Sequence, residues 1–254
     1  MPTKNSLSTH EKLLKKLKFK LYPTFGRKFL RPFDDMLCRF QVTAPSQPDD
    51  IWIRIDEIYG WLIGGVQTKF PSYPGQVKGG DWDLNIRGFH ERLQESHKFA
   101  AIQQRYVQGK PWRDTEIRKH FDRIVARHGA LDGYRDFESW ALMDEARRDK
   151  LWLRVRSGLK HASKDERGIE PIYVHFDRLG RCLYTTNGNH RLYMAIALGF
   201  SVIPVRVWLR HKDWQQKRNA FWRDTRNGLS SDLTLEDLHP DFRTLVGRRE
   251  ASQR

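Results

Sequence analysis

Asn187-Gly188-Asn189-His190-Arg191 gathers a glycine, two amides, an imidazole and a guanidinium between an apolar, strand-like stretch and a helical one. A helix start leaves backbone N–H groups without partners and carries a partial positive charge, so it attracts anions, phosphate above all. Gly188 lets a ligand approach the backbone, and Arg191 offers a forked donor matched to phosphate oxygens. His190 can donate a hydrogen bond or move a proton, while Asn187 and Asn189 can cap the helix or touch ligand. The chemistry this spacing suits is a phosphate cradle. The same residues also fit an ordinary strand-to-helix turn, with Asn189 as cap and Arg191 in a surface salt bridge.

A second compact group is Gly79-Gly80-Asp81-Trp82-Asp83. Asp81 and Asp83 can hold Mg2+ or orient an acceptor hydroxyl; equally, Trp82 can anchor a turn that Asp83 caps. Arg210 and His211 end a strand and are expected to converge on the same anion as Gly188, because ligands of open α/β sheets gather at strand carboxyl ends. The ten histidines form no H-x-x-x-H or H-E-x-x-H pair, so a zinc site is not expected, and His90, His97, His120 and His128 read as surface positions. Two cysteines, Cys38 and Cys182, cannot build a disulfide scaffold.

These groups need elements to position them. Ile51, Ile53 and Ile55 alternate with polar or bulky neighbours and predict a strand, followed by a Pro- and Gly-rich loop up to Asp83. Helices are expected over 89–108, 115–128 and 134–157, the last with Phe137, Trp140, Ala141, Asp144 and Leu151 only partly periodic. Residues 171–209 predict strand, turn at Arg178–Gly180, strand, loop, helix from His190 to Leu198, Gly199 as its stop, and a final strand. A helix over 213–226 and a polar tail close the chain. At the other end, Leu13, Leu14, Leu17 and Leu21 lie among lysines, predicting a short basic amphipathic helix that ends at Pro23. Residues 1–31 hold nine Lys or Arg against the single acid Glu11, more than half of the +15 net charge. That segment suits an anionic membrane surface or nucleic acid through residues 12–31, or docking on the domain by its leucines. With no signal-peptide core and no apolar run of the ~20 residues a bilayer needs, a cytoplasmic protein is expected, or one peripheral at the membrane.

Gly188-Asn189-His190-Arg191, followed by Ala195, Ala197, Leu198, Gly199 and Ile203-Pro204-Val205, resembles the core motif of the ParB/sulfiredoxin-like superfamily. There a hairpin feeds a G-x-H-R or G-x-R-R loop, a helix, a Leu-Gly turn and an Ile-Pro-Val strand. The resemblance covers residues 170–209. It implies that Gly188, Asn189, His190 and Arg191 hold the phosphates of ATP or another nucleoside triphosphate, with Mg2+. Sulfiredoxin carries its reactive cysteine where this chain has Asn189, and partition proteins have a second arginine in place of His190 and continue into a helix-turn-helix. The kinase-like variant, with histidine and arginine, fits best and implies phosphoryl transfer to a hydroxyl acceptor. Glu170 resembles the acidic position of those members, and Glu170, Asp81 or Asp83 would accept the hydroxyl proton. Alternatives are a ParB-like DNA-binding protein or nuclease, and a non-catalytic binding module. The expected architecture is an α/β or α+β fold with a small mixed ParB/sulfiredoxin-like sheet, elaborated by N-terminal strands and a helical insertion. Its expected division is an appendage and linker over 1–48, a domain over 49–228 with its core at 168–209, and a tail over 229–254.

Overall fold

The computed structural model describes residues 50–63, 75–159, 171–185, 187–226, 238–243 and 245. The expected basic helix at 12–23, the linker, Cys38 and Glu170 lie outside the described residues.

Period-two alternation makes the first strand: in β1 (Asp50–Arg54), Ile51 and Ile53 are buried while Trp52 and Arg54 are exposed. A single 3-10 turn leads into β2 (Ile58–Leu62), and two short strands follow, β3 (Gln76–Lys78) and β4 (Ile86–Gly88). The helical insertion comprises α1 (Phe89–Gln94), α2 (His97–Ile102), α3 (Glu116–His128) and α4 (Phe137–Arg156). Next come β5 (Ile172–Phe176), β6 (Cys182–Tyr184), α5 (Asn189–Ala197), β7 (Val202–His211) and α6 (Lys212–Arg226). The strand-turn-strand-loop-helix-strand order expected over 171–209 is present, with β7 running two residues further.

The described strands form one mixed sheet in the order β1-β7-β5-β6-β2-β4, with β3 also paired to β7. β7 is the spine. Its first half pairs antiparallel with β1, its last three residues pair parallel with β3, and its other edge runs parallel to β5. Ile172, Val174 and Phe176 on one face of β5 join Leu192 and Met194 of α5 and Ile203, Val205 and Val207 of β7 in the main core. The alternate side chains Tyr173 and His175 meet Trp208 and Trp82 instead. A smaller aromatic core inside the insertion gathers Trp112, Phe121, Phe137 and Trp140. The architecture is therefore mixed α and β, as the residue pattern predicts.

Part of the expected polar tail belongs to the fold. Leu238, Asp241 and Leu245 are 6%, 0% and 0% exposed. Asp241 receives Arg210 at 2.9 Å, Arg218 at 3.0 Å and the Trp214 indole N–H at 2.9 Å, which ties the C-terminal segment to β7 and α6. No described helix is long and apolar enough to cross a membrane.

Candidate functional site

The entrance to α5 is set by Gly188. Its φ of +75° is left-handed, and a Cβ built there would lie 2.5 Å from the Pro171 carbonyl oxygen and 2.8 Å from the Ile172 Cα. Glycine is thus required because two pieces of this chain's own backbone meet, which replaces the expected role of admitting a ligand on that side. Neither Asn187 nor Asn189 caps the helix; Gly188 holds the cap position without a side-chain bond. The far end closes with Gly199 at φ +77°, donating to the Ile196 carbonyl at 3.0 Å, and Phe200 donating to Ala195 at 3.1 Å. That pair of bonds is the Schellman arrangement, so α5 is fixed at both ends.

Arg191 is 6% exposed and turns into the protein, where the sequence also allowed a surface salt bridge. His190 is half-buried as a residue, but its Nε2 is sealed from solvent and has no hydrogen-bond partner among the described residues. Its surroundings come from the insertion, since α5 packs against α2 and α4. Burial holds the imidazole well below its ordinary pKa, and the charges of Arg148, Lys98 and Arg147 push it further down. Arg148 itself is buried, lies 5.5 Å over the Trp112 ring and pairs with Asp144, which also takes Arg147 at 2.9 Å. Burial lowers the pKa of Lys98, and Arg148 adds to the effect. The first turn of α5 therefore faces cations. A helix start, a neutral imidazole and surrounding Lys and Arg can together bind an anion and give it one directed hydrogen bond.

The carboxylates of the Gly79–Asp83 element are engaged elsewhere, which corrects their expected roles as base or metal ligands. Asp83 is 1% exposed and accepts the Arg178 amide at 2.9 Å and its guanidinium at 2.9 and 2.7 Å. Burial alone would raise its pKa, but these bonds from Arg178 outweigh it and the net shift is downward. Asp81, exposed, accepts from Arg178 at 2.9 Å. The element is a loop clamped to the β5–β6 turn. Among the described residues no group of three or more His, Cys, Asp or Glu gathers as a metal site.

Arg210 and His211 belong to this end of the sheet as well, so they do not converge on the Gly188 turn. Gly188 touches the start of β5, whereas Arg210 pairs with Phe176 at its end. Five strand steps separate those places, about 16 Å. Arg210 is buried against Asp241. The His211 ring donates from Nε2 to the Gly80 carbonyl at 2.9 Å and accepts at Nδ1 from the Asp213 amide at 3.2 Å, so one nitrogen holds the loop and the other is tied to the start of α6. His239 repeats the pattern, donating to Gly180 at 2.9 Å and accepting from the Asp241 amide at 3.1 Å. Trp82 lies between His175 and His211, with ring centroids 5.8 and 5.9 Å away, and Trp214 belongs to the core.

Lys98 and Arg148 escaped the sequence reading. Asp144 offered a hint, as a charged residue at an apolar position of α4 and four residues from Arg148. His97 and His120 are not the separate surface positions expected; their rings stack at 3.7 Å. Protein-family models, curated proteins and solved structures give no match to this chain.

Proposed function

We propose that the chain binds the phosphates of a nucleoside triphosphate at the start of α5 and, as a kinase-like member of the ParB/sulfiredoxin-like superfamily, transfers the terminal phosphoryl group to a hydroxyl. The observation that carries this reading is His190, whose sealed Nε2 has no described partner and sits among Arg148, Lys98 and Arg147 on the first turn of a helix. The α5 amides and Arg191 would receive phosphate oxygens, and His190, kept neutral by burial, would donate one hydrogen bond without adding repulsion among the cations. Attack by the acceptor oxygen forms its bond to the terminal phosphorus, the bridge to the nucleoside diphosphate breaks, and the hydroxyl proton passes to a carboxylate. Glu170, next to the Pro171 that touches Gly188, is that carboxylate in this reading. Asp81 and Asp83 are not, because Arg178 holds them at the opposite end of β5. The described residues do not fit a Mg2+ site here, since Asp144, the carboxylate nearest these cations, is held by Arg147 and Arg148.

That same tie favours a second reading, binding without turnover. Calorimetric titration with ATP, CTP and GTP in Mg2+ tests the first. Saturable binding that falls at least tenfold in Arg191→Ala supports it, and no binding of any nucleotide at millimolar concentration overturns it. Nucleoside diphosphate release separates transfer from binding alone.

A further inference from the structure

We infer that Lys98 and Arg148, carried by the helical insertion, form the opposing wall of the anion site at the start of α5, and that the group they hold is a phosphoryl dianion. The inference rests on the phosphate-binding reading of α5 and deepens it, by adding side chains from outside the hairpin-helix-strand core and by naming the ligand group.

Three features of the packing point the same way. α2, which carries Lys98, and α4, which carries Arg148, both lie against α5, whose first turn presents His190. Among the described residues, the charges that bear on the His190 ring, those of Arg148, Lys98 and Arg147, are positive, and its sealed Nε2 lacks a described partner. Lys98 is half-buried, and no described carboxylate is in ion-pair contact with it. The acids that act on it, Asp132 and Asp144, do so without an ion pair: Asp144 is shared by Arg147 and Arg148, and Asp132 accepts the Trp140 indole N–H at 3.2 Å.

Among the described residues Asp144 and Asp132 offset only two of the three cations Lys98, Arg148 and Arg147, and a half-buried cation left without full compensation is unfavourable, since it loses water and is repelled by its neighbours. Folded proteins keep such an arrangement where an anion supplies the missing charge. A phosphoryl group carries about −1.5 to −2 at neutral pH with three acceptor oxygens, which suits one ammonium, one guanidinium and one imidazole donor together. Arg148 is also rigid, held between Asp144 and the Trp112 face, so its donors are placed before the ligand arrives. The group has two sources: the terminal phosphate of the nucleotide, or a phosphate on the acceptor.

The test uses the full chain and three probes, inorganic pyrophosphate, inorganic phosphate and ATP, titrated into wild type, Lys98→Gln, Lys98→Arg and Arg191→Ala. Losing one charged hydrogen bond to phosphate should weaken pyrophosphate binding by about tenfold or more, and Lys98→Arg should restore most of it. Urea unfolding without ligand gives an independent readout. An uncompensated cation predicts that Lys98→Gln raises the midpoint, whereas a lysine with a structural role predicts a fall. Binding within twofold of wild type in Lys98→Gln, or a lowered midpoint with affinity unchanged, overturns the inference. Pyrophosphate binding that needs Lys98, without binding of any nucleotide, keeps this wall and discards the nucleotide reading; nucleotide binding indifferent to Lys98 does the opposite. Inorganic phosphate that competes with ATP assigns the group to the nucleotide, and phosphate that binds alongside ATP assigns it to the acceptor.

Discussion

At the residue scale, Gly188 and Asp83 show how similar-looking motifs do different work. Gly188 and Gly129 both have positive φ, but Gly129 has open space around its would-be Cβ, while Gly188 faces backbone at 2.5 Å. Gly129→Ala should cost about 1 kcal/mol from conformation alone, and Gly188→Ala about 3 kcal/mol or more, because overpacking against Pro171 is added. Chemical denaturation of the two variants measures the gap; equal losses would mean the contact is not as described. Asp81 and Asp83 divide the same way. Asp81→Asn should change stability by less than about 0.5 kcal/mol, as an exposed pair. Arg178→Ala leaves the buried Asp83 carboxylate without its guanidinium and should lower stability clearly more than Asp81→Asn does. Both variants should bind nucleotide as wild type does; loss of binding in Asp81→Asn would restore the carboxylates to the site. Local spacing leaves both roles of this element open for a physical reason: Arg178 lies 95 residues from Asp83, and so distant a partner leaves no sign there.

At the element scale, α5 and β7 were legible because their signals are local. The apolar period, Gly199 as stop and the alternating Ile203, Val205 and Val207 belong to single segments, and each appears where expected. The helices over 116–128 and 137–156 were legible too, whereas the single helix expected over 89–108 is broken where Ser96 caps α2, and the way these helices press cations onto α5 was not legible, since that depends on packing between helices. The stacked His97 and His120 rings join α2 to α3. Burial, then His120 and the cations around them, push the His97 pKa down to about 4, below the ~6.5 of an unfolded chain. The unfolded state therefore binds the extra proton first, and stability is lost as pH falls from about 6.5 towards 4, with a limiting slope of about 1.4 kcal/mol per pH unit for one proton. His175, lowered by burial to about 3, adds to the same trend. Urea midpoints measured between pH 7 and pH 4.5 should fall less steeply in His97→Gln than in wild type. Parallel profiles would show that His97 titrates normally.

For the whole molecule, the sheet separates two ends of the β5–β7 pair. One end holds the Gly188 turn and its cations; the other is filled by the Asp83, His211 and Asp241 contacts and has the character of a structural seal. The C-terminal segment closes that seal, a role hidden in the sequence because Leu238, Asp241 and Leu245 are sparse apolar or acidic points in a polar stretch. Burial would raise the Asp241 pKa, but Arg210 and Arg218 hold it well below the carboxylate range, so its contribution persists above the unfolded value of about 3.9 and fades only in strong acid. Asp241→Asn, or a stop before Leu238, should remove about 3 to 5 kcal/mol by stranding two buried guanidinium groups. The central claim concerns the opposite end, and the most direct measurement is a crystal structure with a non-hydrolysable nucleoside triphosphate and Mg2+. The account predicts phosphate oxygens within hydrogen-bond reach of the His190 Nε2 and the first amides of α5, with Lys98 and Arg148 on the far side. A nucleotide bound elsewhere, or an α5 entrance that stays filled by protein side chains at saturating ligand, would contradict it.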